Sequence, residues 1–484
     1  MKTNTLDFDA QALRDKILDL AMRGKLVPQD PNDEPASVLL EKIKAEKAEL
    51  VKEKKIKKSK PLPEITDDEK PFDIPDSWEW VRIDTFNTYN GHSVHPDKNP
   101  NELFELYSVP IYENKHPEEV AGKKIKSNKQ SVKLDDILLC KINPRINRVW
   151  KVGSFTKYKS IASTEWIVIR QKYIVSNYLR YAFMSPYFRE LLQSEVSGVG
   201  GSLTRAKPKI VKNYIVPLPP LSEQSRIAAK IAQLFALLRK VETSTQQYAK
   251  LQTLLKSKVL DLAMRGKLVK QDPNDEPASE LLKKIKAEKA ELIKEKKIKK
   301  SKPLPPITDE EKPFDIPASW EWVRFDDILD VRDGTHDTPK YVSDGIPLIT
   351  SKNISSGYLD FINVKYISQQ DFKKINERSN VNKGDIIFAM IGTIGNPILV
   401  STDRKFAIKN VALLKKVTER LSMPFVLDYL MIAQIWWNKR ATGAVQKFVS
   451  LRKIRSSLLP LPPLKEQNRI VNKIKKILTY EKEN

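Results

Sequence analysis

The sequence is poor in cysteine and histidine. Its 484 residues include one cysteine and four histidines, so an internal disulfide is excluded and a zinc site of His and Cys ligands is not expected. Cys140 lies in an apolar run and is predicted to be a small core residue. No apolar run approaches the length needed to span a membrane. These absences favour a cytoplasmic protein that has no membrane partner.

Acidic residues are fewer than basic residues. Lys and Arg number 85 against 61 Asp and Glu, which gives a net charge of +24 and an isoelectric point near 9.6. Such an excess favours nucleic acid or another polyanion as a partner. The alternative is a solvated lysine-rich surface, because much of the charge lies in runs such as 52–60.

Catalytic motifs are also missing. Asp76 and Asp97 follow prolines but lack the Glu-x-Lys pattern of a nuclease strand. The Asn-Pro pairs at Asn143 and Asn396 lack the second proline and the aromatic residue of an adenine methyltransferase motif. No phosphate-binding Walker sequence occurs, and the glycines of 198–201 follow a predicted helix rather than a strand. These absences argue against a nuclease or a methyltransferase with its own active site, and no metal or nucleotide site is expected in this chain.

A long heptad pattern occupies residues 222–266. Its apolar positions alternate at spacings of four and three, which predicts a long helix that packs on a partner helix. Ser222 is expected to be the N-cap, Glu223 lies in the first turn, and Gly266 is expected at the C′ position. A long helix in an ordinary core is the alternative. The seam residues are Ile227, Ile231, Leu234, Leu238, Val241, Tyr248, Leu255, Val259 and Leu262.

Both ends of the chain repeat parts of this helix. Residues 464–470 repeat 221–227, and the N-terminal helix repeats the last part of the seam. The two termini together form one broken copy of the central helix, which predicts an antiparallel coiled coil and a pseudo-two-fold circular repeat. The matching positions are Ile470, Ile474 and Ile477 at the C-terminal end, and Leu13, Ile17 and Leu20 at the N-terminal end.

A longer duplication surrounds two dissimilar segments. Residues 18–84 and 260–326 differ at eight of 67 aligned positions, whereas 85–215 and 327–458 differ greatly. Each dissimilar segment mixes short β-rich runs with helices and has the size of a domain, which predicts an α/β (α+β) fold class. Amphipathic helices are expected at 175–194 and 423–439. The paired tryptophans, such as Trp78 and Trp80, are expected to anchor the core.

Polar loops in both dissimilar segments suit nucleic-acid binding. Arg reads guanine and Asn reads adenine through paired hydrogen bonds, and small-residue loops allow close approach to phosphates. A solvated loop is the alternative for each one alone. In the first segment the candidate residues are Lys141, Asn143, Arg145, Asn147, Arg148, Thr204, Arg205 and Lys207. In the second segment they are Thr335, His336, Lys340, Thr393, Asn396, Gln446, Lys447 and Arg452.

Several motifs together carry a family resemblance. LDLAMRGKLV occurs twice, IPDSWEWVR is matched by IPASWEWVR, PLPPLSEQSRI is matched by PLPPLKEQNRI, and GDIIFAMIGTIGN follows in the second segment. Over essentially its full length the chain resembles the specificity (S) subunit of bacterial Type I restriction–modification systems. The resemblance implies two target-recognition domains, each reading one half of a bipartite double-stranded DNA site in the major groove, and a coiled-coil spacer.

The same resemblance implies partner subunits that carry the chemistry. Two modification subunits would bind S-adenosylmethionine and methylate adenine, and restriction subunits would supply ATP- and Mg²⁺-dependent translocation and cleavage. The implied division is an N-terminal helical region at 1–70, recognition domains at 71–215 and 313–458, a central region at 216–312, and a C-terminal helix at 459–484. The competing hypotheses are a methyltransferase or nuclease with its own active site, and a non-specific architectural DNA binder.

Overall fold

The structure, a computed structural model, describes residues 8–194, 196–197, 204–391, 394–440 and 448–480. The chain forms two compact units that divide between Thr245 and Gln246. The unit before this division is called the first unit, and the one after it the second unit. Both mix helices with sheets, as the sequence predicts.

The first unit begins with two helices and continues into short strands. Its elements are α1 (Ala10–Met22), α2 (Ala36–Lys52), β1 (Glu79–Arg82), α3 (Ile83–Phe86), β2 (Ser93–Val94), β3 (Leu103–Tyr107), β4 (Glu118–Ala121), β5 (Lys129–Ser131), β6 (Ile137–Cys140), β7 (Val149–Lys151), β8 (Lys159–Ser163), β9 (Trp166–Ile169), α4 (Ser176–Met184), α5 (Pro186–Ser194), β10 (Val196–Ser197), β11 (Arg205–Ala206), α6 (Pro208–Val211), β12 (Ile215–Leu218) and the first half of α7 (Leu221–Met264).

The first unit contains two larger sheets. One has the strand order β2-β5-β8-β3-β4 and the other the order β7-β6-β9. β3 pairs with β8 in parallel and the remaining pairs in these sheets are antiparallel. All four residues of β6 are buried, Cys140 among them. The prediction that Cys140 is a small core residue is confirmed.

The second unit contains the other half of α7 and repeats much of this plan. Its further elements are α8 (Ala278–Lys294), β13 (Glu321–Arg324), α9 (Phe325–Ile328), β14 (Asp330–Asp333), β15 (Tyr341–Val342), β16 (Ile346–Ile349), β17 (Lys365–Ile367), α10 (Gln369–Asn376), β18 (Ile386–Ala389), β19 (Gly395–Leu399), β20 (Ala407–Ile408), β21 (Val411–Lys415), α11 (Met423–Arg440), α12 (Leu451–Ser456), β22 (Leu458–Leu461) and α13 (Leu464–Tyr480). Its larger sheets have the orders β14-β21-β18-β19 and β15-β17-β16-β20, and only β16 and β20 pair in parallel within them.

In each unit the dissimilar segment starts and ends at one two-stranded sheet. β1 pairs with β12, so that Trp80 lies opposite Pro217, and β13 pairs with β22, so that Trp322 lies opposite Pro460. Because entry and exit are neighbouring strands, the whole segment emerges from one place on the helical part. Trp78, Trp80, Trp320 and Trp322 are all buried, which confirms them as core anchors.

The ends of α1 and α7 require glycine. Gly24 and Gly266 have φ of +66° and +65°, and a Cβ there would lie 2.4 Å and 2.3 Å from the Cγ of Pro75 and Pro317. A left-handed residue ends a helix, and glycine adopts it without steric cost. The amide of Lys267 donates to the carbonyl of Leu262, which closes the helix end. The predicted C′ role of Gly266 is thereby confirmed.

Two local predictions are wrong. Residues 175–194 form two helices rather than one, because Pro186 has no amide hydrogen and Ser185 leaves the helical conformation at ψ 154°. Helix α7 begins at Leu221, and the amide of Gln224 donates to the carbonyl of Pro220. Ser222 therefore lies inside the first turn and is not the N-cap.

In each unit α7 packs against a terminal helix. In the first unit Leu18 and Met22 of α1 share a core with Ile227 and Ile231, and Arg14 forms an ion pair of 2.5 Å with Glu242. In the second unit Ile470 and Ile474 of α13 share a core with Val259 and Met264.

The seam positions differ in burial. Ile227, Ile231, Val259, Ile470 and Ile474 are buried, and Leu234, Leu238, Leu262, Ile17, Leu20 and Ile477 are half-buried. Leu13 and Leu255 remain 43% and 42% exposed, as are Val241 and Tyr248 at 44% and 54%. The apolar pattern therefore continues through the middle of α7, where its side chains are not covered.

Candidate nucleic-acid interface

The turn between β6 and β7 joins two parts of the predicted interface. Residues 144–146 form a 3₁₀ turn flanked by Asn143 and Asn147, which have left-handed φ of 48° and 47°. The amide of Asn143 donates to the carbonyl of Thr204 at 2.8 Å, and that of Ala206 donates to the carbonyl of Lys141 at 2.9 Å. Two segments 60 residues apart in the chain are thereby held side by side.

The exposed part of this turn is its cationic tip. Arg145 is exposed and Ile146 is 45% exposed, while Lys207 is exposed at the start of α6. Arg148 is half-buried, and the Cys140 thiol, whose pKa is raised by burial, donates to the carbonyl of Ile142. Arg145 is the side chain of the turn best placed to reach a DNA base or phosphate.

The two asparagines face the other way. The Nδ2 of Asn147 donates to the carbonyl of Phe183 at 2.9 Å. The Oδ1 atoms of Asn143 and Asn147 are buried and have no hydrogen-bond partner within the described ranges. A bidentate contact with adenine needs both amide atoms at the surface. This conformation does not present either asparagine for that contact.

Glu165 lies beside the cations of the first unit. Its carboxylate is 3.7 Å from the Nζ of Lys141 and 3.5 Å from Nη2 of Arg205. The Nζ of Lys141 also donates to the carbonyl of Thr164 at 2.9 Å. DNA phosphates would therefore compete with Glu165 for two of the predicted cations. This partner could not be predicted from residue spacing, because Glu165 belongs to a different turn.

The second unit repeats the junction. Ile391 and Phe448 form an antiparallel bridge, and the amide of Val449 donates to the carbonyl of Met390 at 2.9 Å. Ile142 and Arg205 form the corresponding bridge in the first unit. In both units the residues that follow the buried central strand thus lie beside the segment that follows the small-residue loop.

The predicted residues of this second junction have mixed positions. The amide of Asn396 donates to Oε1 of Gln434 at 3.0 Å, and its φ is +50°. Arg452 is exposed on α12. Thr393, Gln446 and Lys447 lie outside the described residues.

Thr335 and His336 lie at the carboxyl edge of the parallel pair β16 and β20. The amide of Thr335 donates to the carbonyl of Ile408 at 3.0 Å. The His336 ring lies between Oδ1 of Asn410 at 3.0 Å and Oδ2 of Asp333 at 2.9 Å. Arg378 also pairs with Asp333, so the imidazole belongs to a polar cluster rather than to a free loop.

Lys340 lies elsewhere on that sheet. It precedes Tyr341, which pairs with Ile367, and Ile367 also pairs with Ile346 at the amino end of β16. Lys340 therefore precedes a strand that lies towards the amino end of β16, whereas Thr335 and His336 lie at its carboxyl end. Lys409, which the sequence did not single out, lies at the carboxyl edge instead and contacts Thr338.

A repeated polar contact supports each unit from the helical side. The indole Nε1 of Trp78 donates to Glu223 at 2.9 Å, and that of Trp320 donates to Glu466 at 3.0 Å. Burial raises the pKa of both carboxyls. Gln29 and Gln271, which follow α1 and α7, donate to the same two carboxylates at 2.6 Å.

These contacts also fix the direction of the helices. The end of α1 lies beside the start of α7, and the end of α7 lies beside the start of α13. Within each unit, the helix pair is therefore antiparallel.

Metal and membrane sites are not found in the residues described. No group of three or more His, Cys, Asp and Glu side chains is arranged to hold a metal ion in that part of the chain. Across the same ranges, no helix is both long and apolar enough to cross a bilayer.

Comparison with known proteins identifies a family. The family model described as "Type I restriction modification DNA specificity domain" matches residues 75–252 and 317–483. The specificity subunit of the Type I restriction enzyme EcoAI from Escherichia coli is 35% identical, over 97% of this chain and 89% of its own. That of EcoEI, also from Escherichia coli, is 38% identical over 66% of this chain and 62% of its own.

Solved structures share the fold. The HsdS subunit from Thermoanaerobacter tengcongensis matches with a TM-score of 0.51 at 20% identity, over 85% of this chain and 92% of its own. A chain from a structure of complex assembly and conformational transition of the type I R-M system matches with a TM-score of 0.59 at 20% identity, over 85% of this chain and 94% of its own.

Proposed function

The chain belongs to the family of Type I restriction–modification specificity subunits, and from this premise we propose how its two units divide the recognition of DNA. Each unit reads one half of a bipartite site through the residues at its strand junction. At its junction the first unit uses the turn at Arg145 with Lys207. The second unit uses Arg452, which follows its junction, together with the edge of the β16 and β20 pair at Thr335 and His336.

The observation that carries this proposal is that both units have the same strand junction, and that each junction is mounted on nearly the same helical region. Residues 18–84 and 260–326, which include α1 after its first turns, α2 and their counterparts, differ at eight of 67 positions, whereas the segments that carry the exposed cations differ greatly in sequence. A binder that needs only phosphates gains nothing from two different domains, because phosphates are the same in every sequence. Two dissimilar readers on one support suit two different half-sites.

Partner subunits carry the chemistry in this proposal. Two modification subunits bind S-adenosylmethionine and methylate adenine in the selected site, and restriction subunits use ATP and Mg²⁺. This chain binds none of these and directs where they act, in the cytoplasm. The purified chain alone is accordingly expected to methylate nothing, and methylation by it without a partner would contradict the assignment.

Helix α7 sets the distance between the half-sites in this proposal. Its 44 residues span roughly 66 Å at about 1.5 Å per residue. The pattern of Leu13, Leu255 and the other seam positions suits an antiparallel coiled coil with the terminal helices. Duplicating Ser244-Thr245-Gln246-Gln247 adds about one turn, roughly 6 Å, which equals one or two base pairs at about 3.4 Å each. An unchanged spacer in a fully active complex would contradict the ruler.

Selection of binding sites from random DNA by the assembled methyltransferase tests whether each unit reads its own half-site. The strand pair β1 and β12 supplies matched points for replacing residues 83–214 by the segment of a relative. We expect one half of the selected site to change and the other half to stay. If both halves change, the units are not independent readers. If no sequence is enriched with the unaltered protein, the chain is a non-specific binder.

A further inference from the structure

One isoleucine of the second unit is almost entirely in water. Ile362 is 89% exposed, the highest value among the exposed large apolar side chains of the described residues. It lies in the loop 355–364, beside Tyr358, which is 51% exposed. An apolar side chain gains free energy when it leaves water, by about 0.8 kcal/mol per buried CH₂. At this exposure Ile362 contributes almost none of its burial free energy to folding. That free energy is available when a partner covers the side chain.

The loop that carries Ile362 is tied down at both sides. The Nδ2 of buried Asn353 donates to the carbonyls of Asp360 and Asn363, at 3.4 Å and 3.0 Å. The amide of Ile362 donates to Oδ1 of Asp360 at 2.8 Å. The neighbours Leu359, Phe361 and Val364 pack against the core of the sheet. Ile362 is therefore held outward by an ordered loop.

This loop starts and ends at the predicted DNA edge. Residues 351–354 form a 3₁₀ turn directly after β16, and the returning Lys365 pairs with Leu348 of the same strand. At that end of β16 the amide of Lys409 donates to the carbonyl of Ile349 at 2.9 Å. The neighbouring carbonyl of Ile408 accepts from Thr335. The loop with Ile362 thus projects from the edge that also carries Thr335 and His336.

Exposed cations lie directly before the loop and on the segment that packs against it, and the carboxylate of Asp360 is held by the amide of Ile362. The guanidinium of Arg404 lies 4.6 Å from the ring centroid of Phe361, the residue next to Ile362. Lys352, Arg404 and Lys405 are exposed. Such a border suits a phosphate backbone, and it disfavours burial of Ile362 against an apolar protein surface, which would have to desolvate the charges.

We propose that Ile362 contacts the 5-methyl group of a thymine in the half-site read by the second unit. An aliphatic side chain neither donates nor accepts a hydrogen bond, and the thymine methyl is the apolar group that a base edge offers in the major groove. The contact makes Ile362 a specificity-determining residue. This inference rests on the proposed function and adds to it a base and a residue.

Binding by the assembled methyltransferase to its selected site tests the contact. Each thymine of the second half-site is replaced in turn by deoxyuridine, which lacks only the methyl group. We expect one replacement to weaken binding by the unaltered protein about three- to fivefold, as expected for one buried methyl group. Ile362→Ala should weaken binding to the thymine site by a similar factor and show no further loss at that deoxyuridine.

Leu134→Ala is the matched control. Leu134 is also a large exposed aliphatic residue, at 59%, but it precedes β6 and so lies at the end of that strand away from the Arg145 turn. Its removal should leave affinity and the deoxyuridine profile unchanged. An equal effect of Leu134→Ala would show that loss of any exposed aliphatic group perturbs binding, and would overturn the assignment.

The remaining outcomes separate this inference from the proposed function. If Ile362→Ala binds as well as the unaltered protein, or loses affinity equally with thymine and deoxyuridine, the methyl contact is absent. A second half-site without a selected thymine would overturn it as well. In these cases the unaltered protein still prefers its site. Loss of all sequence preference by the unaltered protein would contradict the proposed function itself.

Discussion

Side-chain contacts are conserved between the two units in one region and differ in another. They are the same in the helical support, meaning α1, α2, α7, α8 and α13, and they differ in the recognition segments, 85–215 and 327–458. In the support, equivalent contacts agree closely: Arg226 with Asp33 and Arg469 with Asp275 both lie at 2.6 Å. In the recognition segments, an aspartate occurs at the same position of both units, but the cation that pairs with it differs. Asp136 and Asp385 both accept a backbone amide in the turn before the central strand, at 2.8 Å in each case.

The partners of these two aspartates differ. Asp136 receives a bidentate contact from Arg170, whereas Asp385 pairs with Lys415 at 2.8 Å. The turn is thus preserved where the backbone needs it, while the charged partner is free to change with the surrounding sheet. The difference shows that the segments share an architecture and not a set of side-chain contacts.

Removing the shared carboxylate should give the largest effect, and an unequal one. The Lys415 side chain is 9% exposed and that of Arg170 is 28% exposed. Asp385→Ala leaves the buried Lys415 ammonium without its carboxylate and with the carbonyl of Asn380 as a neutral partner, which costs about 3–5 kcal/mol of unfolding free energy. Asp136→Ala should cost less, because Arg170 remains partly hydrated.

Hydrogen exchange followed by mass spectrometry reports each unit separately and checks this inequality. The double variant with Lys415→Met should recover most of the loss in the second unit, since the buried charge is gone. Equal losses for the two single variants would mean that the backbone contact, rather than the charge partner, dominates.

The support should respond equally in both units. Gly24→Ala and Gly266→Ala each force a left-handed residue and push a Cβ against a proline ring, at 2.4 Å and 2.3 Å. We expect each to lower the stability of its own unit by about 2–4 kcal/mol. Gly357→Ala is the control, because its φ is +80° but no atom lies within 4 Å of the added carbon. It should cost only about 1 kcal/mol.

Chemical denaturation with exchange readouts for each unit measures these three variants. A large difference between Gly24→Ala and Gly266→Ala would break the equivalence of the two supports. A loss at Gly357 as large as at the other two would assign the cost to backbone conformation alone.

Substitution of each exposed arginine should weaken binding to only one half of the DNA site. Arg145→Ala should cost about 1–3 kcal/mol of binding free energy at one position of one half-site if it contacts guanine, and Arg452→Ala should affect only the other half. Titrations against site variants measure both. A loss that is equal on all sequences and reduces the salt dependence would mark either residue as a phosphate contact.

One acid distinguishes the second unit by its pH response. Burial raises the pKa of Asp428 to about 7, although Lys256 and Lys475 lie near and oppose the shift. A carboxyl with a raised pKa binds a proton in the folded state that it lacks when unfolded, so stability falls as pH rises from about 4 to about 7. Asp428→Asn should therefore raise the stability of the second unit by about 1–2 kcal/mol at pH 8 and change little at pH 4. Exchange rates of both units at the two pH values check this, and a gain at pH 4 would contradict it.

Long-period patterns in the sequence predicted the fold well. The repeated motifs predicted the long helix and the terminal helices, and Gly266 predicted the end of α7. Single residues predicted the local breaks in these elements less well. The break at Pro186 was visible in the sequence and was outweighed by the apolar pattern of 175–194.

The candidate site was harder to predict because its details depend on distant residues. Asn143 and Asn147 adopt left-handed conformations that turn their amides inward, and Phe183 supplies the partner of one of them. Glu165 is brought to Lys141 by the pairing of β6 with β9, where the amide of Lys141 donates to the carbonyl of Glu165. Residue type and spacing therefore found the turn but not the direction of its side chains.

The contact of α1 with the first half of α7 has a consequence for synthesis on the ribosome. Residues 10–22 emerge early, but Ile227, Ile231 and Glu242 follow more than 200 positions later. At about 5–20 residues per second, α1 waits roughly 10–40 s for this partner. Helix α13 is made after α7 and has no such wait. The apolar side of the first helix, with Leu18 and Met22, is thus the part of this chain that a nascent-chain chaperone has most time to bind.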